Sequence, residues 1–241
     1  RALREAQDAD YFLTTLLLEP LQRNSLKHPA LESSILVQQK KRFDFRKWRA
    51  EIGGDLCITD MVRLGGKDYA VFINGDAMGK SLQGAGGAIV LGTVFHAALS
   101  RPQRAASASP EEWLRECYEE LQNVFVSFDG SMLVSAAAGL IDIENRVLYH
   151  FNAEHPRTVL YRDDRAQFLA ESHLMKIGVR GQEEHFRVVR EELKPGDVII
   201  AGSDGRDDLC TGNEPDGARI INADEGLFLR IVEKSNGSLE T

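Results

Sequence analysis

The chain has 241 residues, 43% of them hydrophobic, and a formal net charge of −8. That is enough for one large domain with its own core, alone or with an appendage. An acidic chain with no offsetting basic run is a poor partner for nucleic acid. Cys57, Cys117 and Cys210 are widely spaced and form neither a zinc spacing nor a disulfide framework, which points to a reducing cytoplasm. The sequence reads as having no apolar run long enough to span a membrane. The chain begins at Arg1 inside a helix-like segment, as an excised piece of a longer protein would.

In chain order, residues 1–19 have helical composition and stop before Pro20; residues 20–40, with Pro20, Pro29, Ser33 and Ser34, read as a connector. Residues 1–40 are therefore expected to be a linker or regulatory helix with its connector, and residues 41–241 the main domain. Leu16, Leu17 and Leu18 in a row give that helix a side that needs a partner, such as a second copy of itself. Two β-rich runs flank Gly65-Gly66, a hairpin signal. A glycine-studded helix follows Ser81, and residues 102–110 form a small-residue loop. Ser109, Pro110 and Glu112 supply an N-cap, a first-turn proline and a capping-box glutamate. Trp113, Cys117, Leu121 and Val124 give the next helix an apolar stripe. Residues 131–202 read as strands with turns near Glu144-Asn145, Asp163-Asp164 and Lys194-Pro195-Gly196. Helices amid antiparallel hairpins imply an α+β fold with helices packed on sheets.

The segment INGDAMGKS poses a choice between a phosphate cradle and a metal turn. A P-loop needs glycine five residues before Gly79-Lys80, but position 74 is Asn74; counted from Gly75, the loop is one residue short. The hairpin offers more. With Gly65 and Gly66 as the two loop residues, counting outward along both strands brings Asp55 opposite Asp76. Directly opposed residues have Cβ atoms about 4.5–5.5 Å apart. Carboxylates that close repel unless a proton or a cation lies between them, and a hard divalent cation prefers such oxygens. A third apolar strand, DVIIAGSDG, runs into Asp204-Gly205. Three Asp-Gly pairs at strand ends, at Gly54-Asp55, Gly75-Asp76 and Asp204-Gly205, point to a carboxylate metal centre.

The motifs EIGGDLC, INGDAMGKS, FNAEHP and IIAGSDG, spread over roughly residues 45–210, resemble those of the stage II sporulation protein E-type branch of the PPM family, whose patterns run close to VGGDFYD, GDVMGKG, NAGHPP and YTDG. These are bacterial metal-dependent serine/threonine phosphatases. The resemblance implies an αββα sandwich with two manganese or magnesium ions at one end. Carried over by residue, it implies that Asp76 bridges the ions, the Ala77 carbonyl and Asp55 serve the first, and Asp204 holds the second. It implies hydrolysis of phosphoserine or phosphothreonine by a metal-activated water, with no catalytic nucleophile from the chain. It further implies a phosphoprotein substrate such as an anti-sigma-factor antagonist, a partner-switching pathway, and an upstream sensor in the parent chain that can tether the domain to a membrane. Two departures stand out. The family's C-terminal Asp-Asp-x-Thr strand, which supplies a fourth acidic ligand, has no counterpart after Gly205, where Asp207, Asp208 and Asp224 occur in another context. Glu154 replaces a family glycine, and His155 beside it reads as structural. The rival readings are a pseudophosphatase acting as a binding module and a nucleotide-binding enzyme. No substrate-binding residue can be read from the sequence.

Overall fold

The computed structural model describes residues 2–101, 108–214 and 216–238; the expected loop at 102–110 lies largely outside them. The chain folds as α1 (Ala2–Leu18), β1 (Arg23–Asn24), β2 (Lys41–Phe45), β3 (Trp48–Ile52), β4 (Asp55–Leu64), β5 (Lys67–Ala77), α2 (Leu82–Leu99) and α3 (Pro110–Val126). It continues through β6 (Val134–Asp142), β7 (Val147–Ala153), β8 (Val159–Arg162), β9 (Arg165–Phe168), β10 (Val189–Glu192), β11 (Val198–Ile200), β12 (Cys210–Asn213), β13 (Arg219–Ile221) and α4 (Leu227–Lys234).

The main sheet has six strands in the order β1-β4-β5-β6-β7-β10, and a second sheet has three, β11-β8-β9. Alternation along the strands sorts the side chains into layers. Leu56, Ile58, Val71, Ile73, Val134, Ala136 and Phe151 face the helices, where they meet Leu91 and Phe95 of α2 and Leu114, Tyr118 and Phe125 of α3. Phe72, Ile141 and Leu148 face the other way and meet Leu160 and Ile199 of the second sheet and Leu169 just after β9. Beyond that sheet, Val159, Tyr161 and Ile200 pack on Phe228, Leu229 and Val232 of α4. The order is helices, sheet, sheet, helix: the αββα sandwich of an α+β fold.

Local sequence accounts for the elements that set the site. Gly65 and Gly66 have φ of 55° and 83°, the two positive values a type I′ hairpin turn requires. Ser109 caps α3 through Glu112 N–H, and the Glu112 carboxylate accepts from Ser109 N–H, completing the capping box. Its buried stripe is Trp113, Leu114, Cys117, Tyr118, Leu121 and Phe125, with Val124 only half-buried.

Helix α2 corrects one sequence expectation. It carries no Asp, Glu, Lys or Arg over 18 residues and has a mean hydropathy of 1.4, so it has the length and apolarity to cross a membrane. Here Ala85, Gly87, Ala88, Leu91 and Phe95 are buried within the domain core, which gives that apolarity its place. The glycines permit close packing: a Cβ on Gly87 would lie 2.6 Å from the Ala77 Cβ.

The N-terminal segment is joined to this body. Tyr11 and Leu18 of α1 belong to the main core, and Phe12 stacks on Phe45 with ring centroids 5.1 Å apart. β1 adds a parallel edge strand beside β4, through Arg23 opposite Ile58 and Asn24 opposite Thr59. The opposite face of α1 leaves Leu13 and Leu17 60% and 64% exposed.

Candidate metal centre

The register of β4 and β5 places Asp55 directly opposite Asp76, and β6 adds Ser135 beside Asp76. Leu56 and Ala77 point into the helical core, so Asp55 and Asp76 point the other way, toward the gap between the sheets. Across that gap β11 ends and a single 3-10 turn, Asp204–Arg206, begins. The third aspartate thus comes from the opposing sheet.

The electrostatics show the crowding. Asp76 is pushed up to about 7, chiefly by burial and then by the Asp55 and Asp204 charges, while Lys176 pulls it back. Asp55 is also raised, first by burial, with the Ser203 hydroxyl lowering it and Asp204 raising it. Like-charged neighbours that each disfavour the other's ionisation are a standing demand for a counter-cation. Among the described residues, however, no three Asp, Glu, His or Cys side chains close into one ready ligand group. Asp204 is exposed on its turn, near enough to perturb both carboxyls without converging with them on one point.

Two further observations test whether a divalent ion fits. Asp55 Oδ1 is buried and has no hydrogen-bond partner among the described residues, an orphan acceptor of the kind a metal satisfies. The Ala77 carbonyl lies in a cradle kept bare by glycine. A Cβ on Gly54 would stand 2.2 Å from that oxygen and 3.0 Å from Asp76 Oδ1, and a Cβ on Gly84 would stand 3.2 Å from the same oxygen. The residues present therefore fit a hard cation held by Asp55, Asp76 and the Ala77 carbonyl, with Asp204 approaching from the second sheet.

Two supporting residues carry no sequence signal. Gln22 and Gln39 both donate their Nε2 to the Asp55 carbonyl, at 2.9 and 2.8 Å, so the connector after α1 fixes the first aspartate. The His155 ring bridges Ser135 Oγ at 3.0 Å and Asn74 Oδ1 at 2.7 Å. Burial, together with the Arg206 and Lys176 charges, pushes His155 down to about 3, so it is a neutral structural strut. Asp207 pairs with Arg206 and Asp224 with Arg230; neither joins the carboxylate group.

The turn after β5 does not resemble a phosphate cradle. Lys80 is exposed, and Ser81, at the N-cap position of α2, has φ 49° and makes no side-chain capping hydrogen bond. Met78 N–H donates to the carbonyl of Leu133, just before β6, which ties down the start of the turn.

Comparison with known proteins places the fold. The family model for stage II sporulation protein E matches residues 66–235. The RsbU and RsbW domains of a Mycobacterium tuberculosis protein align at 22% identity and a TM-score of 0.57, over 76% of this chain and 45% of that one. The PP2C phosphatase domain of the Bacillus subtilis cell fate determinant SpoIIE, with a fragment of its regulatory domain, aligns at 16% identity and 0.57, over 80% and 50%. The SiaA PP2C domain of Pseudomonas aeruginosa gives 17% and 0.56, over 76% and 66%. The chain thus spans about half the length of the first two and two-thirds of the third. No curated protein matches. The match covers well over half of the chain, and its fold is that of PP2C-type phosphatase domains: this chain belongs to the stage II sporulation protein E family.

Proposed function

We propose that the chain is a metal-dependent protein serine/threonine phosphatase domain. The observation that carries this is the cross-strand pair of Asp55 and Asp76, with an orphan carboxylate oxygen and the glycine-bared Ala77 carbonyl beside it. The net reaction adds water to a phosphomonoester: a water oxygen bonds to phosphorus, the bond from phosphorus to the serine or threonine oxygen breaks, and that oxygen leaves with a proton. A bound manganese or magnesium ion would supply an acidified water and neutralise charge on the phosphoryl oxygens. Asp55, Asp76 and the Ala77 carbonyl would hold the first ion, and Asp204 would reach a second. Gln22 and Gln39 hold the Asp55 backbone, and the His155–Ser135–Asn74 bridge stiffens the strand ends beneath it.

A second reading has an observation of its own. The absence of a closed three-ligand group among the described residues fits a binding module that keeps the fold and holds metal weakly. Measuring manganese-dependent hydrolysis of a phosphoserine peptide separates the two, since the module binds without turnover.

The domain's place in a cell is also a proposal. RsbU, RsbW, SiaA and SpoIIE appear among the structural neighbours, which supports a phosphoprotein partner in a signalling pathway, an anti-sigma-factor antagonist being the class the family resemblance implies. The acidic, disulfide-free chain suits the cytoplasm, with an upstream sensor reaching the domain through α1. The exposed Leu13, Leu16 and Leu17 side of α1 suits a homodimer; sedimentation showing the same monomer for wild type and for Leu13→Glu/Leu17→Glu would remove that element.

A further inference from the structure

The turn after β7 and the segment after β9 meet at the carboxylate end of the main sheet. Ile177 forms an antiparallel bridge to Val134, with Val134 N–H donating to the Ile177 carbonyl at 3.1 Å and the reverse bond at 2.8 Å. Both side chains are buried in the helical core. In an antiparallel pairing the residue before Ile177 lies alongside the residue after Val134, so Lys176 lies alongside Ser135 and on the opposite face from Ile177. That is the face of Asp76, whose register partner is Ser135.

The lysine is held there. Its Nζ donates to Glu154 Oε1 at 2.7 Å, and its backbone N–H donates to Glu154 Oε2 at 3.3 Å. Glu154 has φ 49°, a backbone region that suits glycine, yet it carries a side chain whose carboxylate spans to Lys176. An ammonium has three donors, and Glu154 engages one. The side chain is 26% exposed, so the rest of the ammonium can be reached from outside.

We infer that Lys176, anchored by Glu154, is a phosphoryl-binding residue: its free N–H groups receive a non-bridging oxygen of the substrate's phosphate beside the Asp55–Asp76 pair. This rests on the phosphatase reading, and it supplies the substrate contact that no sequence motif marked. A phosphate entering a site lined by three aspartates meets repulsion, which a fixed ammonium offsets. The electrostatics agree, since Lys176 is the cation acting on Asp76 and one of two acting on His155.

The test uses inorganic phosphate as probe on the manganese-loaded protein, with manganese affinity measured separately by calorimetry. Lys176→Met should weaken phosphate binding about ten-fold or more, as loss of a charge-assisted hydrogen bond does. It should raise KM for a phosphoserine peptide and leave manganese affinity unchanged or tighter, because a cation near the ion has gone. Lys176→Arg should restore most of the phosphate binding, and Glu154→Gln, which leaves the lysine charged but loosens its anchor, should weaken it several-fold. Lys176→Met with wild-type phosphate binding overturns the inference while leaving the phosphatase reading intact. Loss of manganese together with phosphate in that variant also overturns it, since it marks a structural role. A wild-type protein that takes up manganese yet neither binds phosphate nor hydrolyses the peptide removes both.

Discussion

His150 on β7 offers a quantitative test of the two-sheet packing. It is 2% exposed, and among the described residues neither ring nitrogen has a hydrogen-bond partner. By alternation it shares a face with Leu148, which packs against the second sheet. Burial pushes it down to about 4 from an ordinary value of 6.5. The folded state therefore favours the neutral ring. The stability this contributes is complete above pH 6.5 and is lost as pH falls from 6.5 toward 4, because the unfolded chain binds a proton that the folded one refuses. At pH 5 the linkage relation with those two values gives a loss of about 2 kcal/mol relative to pH 7.5. His150→Leu should remove that loss. It should also be at least as stable as wild type at pH 7.5, since a leucine leaves no buried donor or acceptor unsatisfied. Urea denaturation at pH 7.5 and pH 5.0 measures both. If the two proteins lose the same stability on acidification, His150 is not a buried neutral group, and the placement of β7 against the second sheet is wrong.

Other consequences concern the carboxylates. Gly54→Ala puts a methyl group against the Ala77 carbonyl, 2.2 Å away before relaxation, and should cost about 1–3 kcal/mol of stability and weaken manganese binding at least ten-fold; a variant with wild-type manganese affinity would show that this carbonyl is not a ligand. Because Asp76 is pushed up to about 7, a metal must displace its proton at lower pH. Manganese affinity should therefore rise about five-fold from pH 6 to pH 7, about ten-fold by pH 8, and flatten above that; calorimetry showing no change over that range would argue against Asp76 as a ligand.

How far the site could be read from sequence depended on chain distance. The Asp55–Asp76 pair was legible because a two-residue turn leaves one register, and Gly65-Gly66 marks that turn. The capping box of α3 was legible for the same reason: all its parts lie within four residues. The end of an apolar strand marked Asp204, but its side chain approaches from another sheet, and its alignment with the pair is a matter of inter-sheet packing that local pattern does not encode. Gln22 and Gln39 stand 33 and 16 residues from the Asp55 carbonyl they hold, and nothing in a run of prolines and serines distinguishes them. Glu154 was visible as a departure from a glycine motif, while its partner Lys176, 22 residues on, became visible only through the Val134–Ile177 bridge. The apolarity of α2 was missed as a span-length feature because its glycines and alanines read as a turn and a close-packed face.

The central claim is that Asp76 and Asp55 share a divalent cation, and the most direct test is a manganese titration of wild type beside Asp76→Asn by calorimetry. Removing one of two crowded carboxylates relieves repulsion in the metal-free protein, so the variant should fold and melt at or above the wild-type temperature. The account predicts manganese binding by wild type and none by the folded variant. A folded Asp76→Asn that binds manganese as wild type does would contradict it.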